Sequence, residues 1–451
     1  MKYKMLWVVP VMVLSVGISL QATAQAERKI SLAEAIELSV KHSRQLKASD
    51  AKIEAATAAL QEAVERRLPD AGVSGSYLRL NKPGVTINPK LNNTGNGAAP
   101  VAPGSAVEPS SAFYGLANVS LPLYAGSRIK YGIEAAKYLQ QATKLDAENE
   151  RDAVIMNTVN AYNNLYKSRA AVDLVTESLA GARQRVKDFS NLERNGIMAR
   201  NDLLKAELQA SNTELTLLDA ENNWKLANIN MNLMLGIPDT TVLTINEAEL
   251  LQMPATLVTA DEYVQLAIQN RKDISALTFR KKAANTGIKS AKAEKMPTLA
   301  VTGGYVAADI PGVISITNAV NIGLGVQYNL SSLWKNNSKV EQAKAREKEL
   351  LANEELLSDA VRLQVNQAYQ NFLVSRKKIE VFETAVKQAE ENFKIVRNKF
   401  NNALATTTDL LDADVAQLQA KMNVAFARAD ASVAYKNLLQ TTGQIQIIQN
   451  K

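Results

Sequence analysis

The chain repeats itself, and that repetition limits the possible folds more than any other feature of the sequence. Residues 31–77 align without gaps onto 259–305 at an offset of 228, pairing Pro69 with Pro297, Gly75 with Gly303 and Tyr77 with Tyr305. From Val119 onward a second ungapped register holds at an offset of 207. It pairs Glu134 with Glu341, Asp202-Leu203-Leu204 with Asp409-Leu410-Leu411, and Gly236 with Gly443. The registers differ because the first copy carries a Pro/Gly/Asn-rich insert, Asn81 to Ser111, where the second has a short connection around Pro311-Gly312. A polar insert at one site reads as a surface loop. Two copies in fixed register argue for one architecture with internal pseudo-symmetry. The expected layout is a leader over 1–26, a first structural repeat over 27–237, a linker over 238–258 and a second repeat over 259–451.

Proline is absent between Pro122 and Pro238 and again after Pro311. Within those stretches residues 127–194 and 334–401 read as unbroken helices rich in Ala, Lys, Glu, Gln and Leu. At roughly 1.5 Å per residue each is about 100 Å long. Leu165, Val172, Leu179 and Val186 are spaced by heptads, with Val175, Ala182 and Phe189 as partners. Phe372, Ile379, Val386, Phe393 and Phe400 repeat the spacing, with Phe382, Ala389 and Val396. That period predicts knobs-into-holes packing against other long helices. Polar breaks, "ERNGIMARND" and "NNALATTTDLLDAD", lead into shorter returning helices at about 202–235 and 409–442. Helices near 48–68 and 275–296 can supply the missing length by stacking on the ends of the returning ones.

Between these helices lie four candidate strands, at about 71–80, 113–123, 299–307 and 318–330. The last alternates strictly, with Val320, Ile322, Leu324, Val326, Tyr328 and Leu330 on one face and polar or small residues on the other. This is the pattern of a barrel strand between lipid and water. Four strands leave open edges that lipid does not tolerate, and membrane barrels start at about eight strands. The barrel must therefore be shared between copies of the chain.

Composition narrows the chemistry. There is no Cys and one His, so thiolate sites, disulfides and most nucleophile–base pairs are excluded. Lys2 and Lys4, the apolar stretch Leu6 to Leu20 and Ala24-Gln25-Ala26 form a signal-peptide pattern. Cleavage is expected after Ala26, with Ala24 as the alternative, and without Cys the mature end carries no lipid. The formal net charge of +7 is spread along the chain, with no basic run that suggests nucleic acid. No cofactor or resident metal is expected. His42 has no second ligand at metal spacing and reads as a surface residue. Gly303-Gly304 lies inside a strand pattern and is no phosphate loop.

Long helix, β-hairpin, long helix, polar break and shorter helix, twice over behind a leader, resembles the TolC-like outer membrane efflux protein family across essentially the whole mature chain. The most specific segments are "ISLAEAIELSVKHS" from Ile30, "LPLYAGSR" from Leu121 and "TTTDLLDAD" from Thr406. The resemblance implies a mainly helical homotrimer with a twelve-strand barrel in the outer membrane and a helical tunnel through the periplasm. It also implies docking onto a periplasmic adaptor protein and an inner-membrane pump, of the RND, ABC or similar type. The expected role is the outer-membrane duct of a tripartite efflux or type I secretion system. A trimeric adhesive surface protein is the alternative, disfavoured by the doubled hairpin. A periplasmic enzyme is a third reading, disfavoured by the missing catalytic constellation.

The break regions hold the candidate functional residues. Asp409, Asp412 and Asp414 form a carboxylate cluster, with Asp409 and Asp412 one helical turn apart. Thr406-x-x-Asp409 reads as a capping box, and Asp202 keeps the carboxylate in the other copy. Asp412 has Lys205 as its mate, so the tip fold does not require an acid there. The resemblance assigns Asp409 and Asp412 to acidic rings at the periplasmic aperture. It assigns Asp202, Leu203, Leu204, Thr406, Leu410 and Leu411 to helix caps and the adaptor-docking region. It also places a Tyr and an Arg of the family's gate at Phe400 and Ala405, which lack the hydroxyl and the charge. Any closing network must use other groups.

Overall fold

The computed structural model describes residues 27–81, 83–84, 108–245, 254 and 257–448. The leader 1–26 and most of the Asn81–Ser111 insert lie outside the described residues. In chain order the elements are β1 (Glu27–Ile30), α1 (Leu32–His42), α2 (Arg44–Glu65), β2 (Asp70–Arg79), β3 (Ser111–Ala125), α3 (Arg128–Arg194) and α4 (Arg200–Leu235). There follow β4 (Val242–Ile245), α5 (Ala260–Asn270), α6 (Lys272–Ala293), β5 (Thr298–Ile310), β6 (Ile314–Gln327), α7 (Ser332–Asn401) and α8 (Thr407–Thr441). The fold is mainly helical. Two compact units lie within Met1–His42, Thr158–Gln252 and Ile379–Asp430, and within Ser43–Asn157, Met253–Lys378 and Ala431–Lys451.

The second of these units holds a four-stranded antiparallel sheet in the order β2-β3-β5-β6. The two hairpins are joined by β3 and β5, which pair from Phe113↔Asp309 to Ala125↔Thr298. Along β6, Val320, Ile322, Leu324 and Val326 are 79%, 85%, 71% and 72% exposed, so the apolar face meets no protein among the described residues. The sheet's last strand ends at Gln327, short of the expected 330. Asn329 turns the chain there, its Oδ1 accepting from the Ser331 amide (3.2 Å) and hydroxyl (2.8 Å). That side-chain turn competes with the ladder and starts α7. In the same unit Tyr263, Val361, Val365, Ala368, Phe372 and Leu438 form a core.

The first unit holds the heptad seam of α3. Leu165, Val172, Val175, Leu179, Ala182 and Phe189 are all buried. The matching seam of α7 is less covered: its first member Phe372 is buried, but Ile379, Phe382, Val386, Phe393 and Phe400 are only half-buried. The region expected as a bare linker contains β4, which pairs in parallel with β1, Glu27 opposite Val242 and Ile30 opposite Ile245. Two buried amides of α4 hold it. Asn228 Nδ2 donates to the Thr241 carbonyl (2.7 Å) and its Oδ1 accepts from the Leu243 amide (2.9 Å), while Asn232 donates to Asp239 and Thr241.

Both returning helices stop on a left-handed glycine. Gly236 (φ +68°) ends α4 and Gly443 (φ +70°) ends α8. The next amides, Ile237 and Gln444, bond back to Asn232 and Leu439, closing each helix end. A Cβ on Gly236 would lie 2.7 Å from the His42 ring, and one on Gly443 would lie 2.9 Å from the Asn270 backbone. Each glycine thus lets another helix end approach closely. At the second junction Arg271 Nη1 also donates to the Thr441 carbonyl (3.4 Å), so α6 starts where α8 stops. His42 is exposed, with Nδ1 3.0 Å from the Leu38 carbonyl.

Candidate functional site: the helical tips

The first unit also contains the two breaks where the long helices turn back. α3 stops at Gly196 (φ +73°), with the Ile197 amide bonding to Leu192 (2.9 Å). α7 stops in the same way at Ala403 (φ +58°), with Leu404 bonding to Lys399 (2.8 Å). A left-handed alanine carries a small steric cost, on the order of 1 kcal/mol.

After the second turn the capping box forms as the sequence suggests. Asp409 Oδ2 accepts from the Thr406 amide (2.9 Å) and hydroxyl (2.7 Å), and the Asp409 amide donates to Thr406 Oγ1 (3.2 Å). These Thr406 donors hold the Asp409 carboxyl below the usual aspartate range. A depressed folded value means that the cap's contribution is present above the unfolded pKa and is lost as pH falls through the folded one. The first copy has no such box. Ala199 stands at the N-cap without a side-chain bond, and Asp202 instead pairs with Lys205 at 3.5 Å. Lys205 Nζ also reaches Thr408 Oγ1 at 3.3 Å, linking the N-terminal part of α4 to the first turn of α8.

The expected site residues divide into core and surface. Leu203 and Leu410 are 2% and 3% exposed and pack with Phe189 and Ala206, bordered by Met198, Phe393 and Phe400. Leu411 is buried too, so of the four leucines only Leu204 faces outward. Asp409 and Asp412 are exposed, and Asp412 makes no hydrogen bond or ion pair among the described residues. Asp414 does not join them. It turns inward, and its Oδ2 accepts from Arg185 Nη2 of α3 at 2.6 Å, with the two side chains only 16% and 13% exposed.

Phe400 stacks on Phe189, ring centres 5.4 Å apart and planes 29° from parallel. The Arg185 guanidinium lies 6.0 Å from the Phe393 ring centre. A groove of about 410 Å³ runs past these groups and is lined also by Glu177, Arg397 and Lys421. Ala405 is half-buried beside Thr406. Arg185 is the residue that sequence reasoning missed. The signal was its spacing, three after Ala182 and four before Phe189, on the buried stripe of α3. Among the described residues no group of three or more His, Cys, Asp or Glu is placed to hold a metal ion.

The model of the outer membrane efflux protein family matches residues 35–237 and 263–444, more than half of the chain. Among curated relatives, outer membrane efflux protein BepC of Brucella suis biovar 1 (strain 1330) is 22% identical over 326 residues, 72% of this chain and 70% of that protein. Among solved structures, the outer membrane protein VceC from Vibrio cholerae superposes with a TM-score of 0.71 at 20% identity, covering 91% of this chain and 96% of that one. The CmeC outer membrane channel of Campylobacter jejuni gives a TM-score of 0.71 at 18% identity, covering 92% and 86%.

Proposed function

This chain belongs to the outer membrane efflux protein family, and from that premise we propose that three copies share one barrel and one periplasmic tunnel. It is an outer-membrane efflux channel and not an enzyme, and the match to both halves sets the adhesive alternative aside. The observation that carries the proposed assembly is the sheet. Four strands expose a continuous apolar row, Val320 to Val326, and end at open edges on β2 and β6 among the described residues. Such a sheet is compatible with lipid only if further copies of the chain close it. The row of α7 that includes Ile379, Phe382 and Val386 stays only half-buried in one chain, which supports the same reading, since a neighbouring copy would cover what remains exposed.

Each copy then contributes two structural repeats, 27–237 and 259–451, to the wall. The tips are the periplasmic end, where an adaptor protein and an inner-membrane pump would dock. Leu204 and the polar turns beside it are the surface offered there. Asp409 and Asp412, exposed at the start of α8, would form two acidic rings at the aperture. The Phe189–Phe400 stack and the Arg185–Asp414 pair take the place of the hydroxyl and charge that the family's gate positions lack here. Transport past the tips then depends on how those contacts yield.

The topology follows and is open to test. The insert 81–111 should face outside the cell, and the turns at 195–199 and 402–406 should face the periplasm. An epitope placed after Asn96 should be labelled on intact cells. Labelling only after the outer membrane is permeabilised would reverse the orientation.

A further inference from the structure

We propose that the junctions between the sheet and its helices form a cation belt that holds the phosphate groups of anionic phospholipids at the membrane surface. This rests on reading the sheet as a barrel wall. Each of the four junctions carries two basic residues: Arg66 and Arg67 before β2, Arg128 and Lys130 after β3, Lys292 and Lys295 before β5, Lys335 and Lys339 after β6. The strand register brings them to one edge. Asp70 pairs with Ser120, and Thr298 pairs with Ala125 on one side and Gln327 on the other.

Three of these cations are engaged: Arg66 with Glu62, Lys339 with Glu294, and Lys295 with Asn337. Arg67, Arg128, Lys130, Lys292 and Lys335 are exposed and have no side-chain partner among the described residues. The basic edge also carries the exposed acids Glu65 and Asp70, whereas among the described residues the opposite edge shows no comparable set of cations. There the described residues flanking the strands carry Arg79, Glu108 and Asp309. At the basic edge three large rings are exposed as well, Tyr124, Tyr328 and Trp334, with Trp334 next to Lys335.

Amphipathic rings beside the end of an apolar face mark the level where hydrocarbon gives way to headgroups. Long Lys and Arg stems reach along that boundary and place their charges among phosphates. Clusters of cations at a membrane surface select anionic over zwitterionic lipid. An acidic protein partner would use one compact patch. Here the charges recur at all four junctions, next to the lipid-facing row Val320 to Val326, which favours the membrane.

The test is native mass spectrometry of the full protein, purified in neutral detergent and titrated with phosphatidylglycerol or with phosphatidylethanolamine of the same chains. The wild type should retain phosphatidylglycerol about tenfold more tightly, and raising the salt to about 1 M should erode the difference. A variant with Arg67, Arg128, Lys130, Lys292 and Lys335 all changed to Gln should lose most of the preference. A control with Lys187, Lys225, Lys378, Lys387 and Lys399 changed to Gln should keep it. If the fivefold variant does not assemble, the pair Arg67→Gln and Lys335→Gln should still reduce the preference measurably. Equal retention of both lipids by the wild type, or an unchanged preference in the variants, would overturn the proposal. Insertion into neutral phosphatidylcholine vesicles separates the premises. A wild type that inserts without lipid preference refutes the belt alone, whereas one that inserts into no vesicle refutes the barrel reading with it.

Discussion

Asp414→Ala should destabilise the packing of α8 on α3 by about 3 kcal/mol, the range found when one partner of a buried ion pair is removed. Both side chains are largely buried, 13% and 16% exposed, and the short bond between them compensates the charge on each. Arg185 Nε already lacks a hydrogen-bond partner among the described residues. Removing Asp414 would therefore take away the ion-pair partner of a largely buried guanidinium that lies over the Phe393 ring. The double change Arg185→Met with Asp414→Leu should recover most of the loss, because two apolar side chains leave no charge to compensate. Hydrogen exchange of residues 180–195 and 405–420 would read both. Wild-type protection in the single variant would mean that the pair contributes nothing to holding the tip.

The double variant Asp409→Ala/Asp412→Ala should lower the preference for cations over anions on the order of tenfold in single-channel recordings. Block by trivalent cations applied from the periplasmic side should be relieved in parallel. Carboxylates crowded around a narrow opening concentrate cations, and Asp412 is exposed without a partner among the described residues that would hold it for structural reasons. Asp412→Ala alone should leave stability intact. Asp409→Ala should add a modest loss of helix stability, because it removes the acceptor of the Thr406 amide and hydroxyl. Selectivity and block unchanged in the double variant would reduce both residues to helix-end groups.

How much was legible in the sequence differed from element to element. The capping box at Thr406 and Asp409 could be read directly, because its spacing fixes its geometry. The repeat register paired Gly236 with Gly443, but that each closes a helix in the left-handed region was seen only in the structure. The burial of Leu165 to Phe189 followed from the heptads. Periodicity could not say how far each seam finds its partner inside one chain, so α3 and α7 looked alike although the α3 seam is mostly buried and the α7 seam, beyond Phe372, only half-buried. Asp409, Asp412 and Asp414 looked like one cluster because they lie within six residues. Asp414, four after the buried Leu410, shares its face, and that spacing sends it inward to Arg185. The strand β4 was missed because its support comes from Asn228 and Asn232. On a long helix these read as surface amides, yet both are buried against the loop they hold.

The assembly is the claim on which the rest depends, and the mass of the intact particle tests it most directly. Native mass spectrometry of protein extracted from the outer membrane should give three copies of a chain that begins at Glu27 and carries no acyl group. A single copy that remains stably inserted would contradict the account, because the four strands of one chain cannot close a wall against lipid.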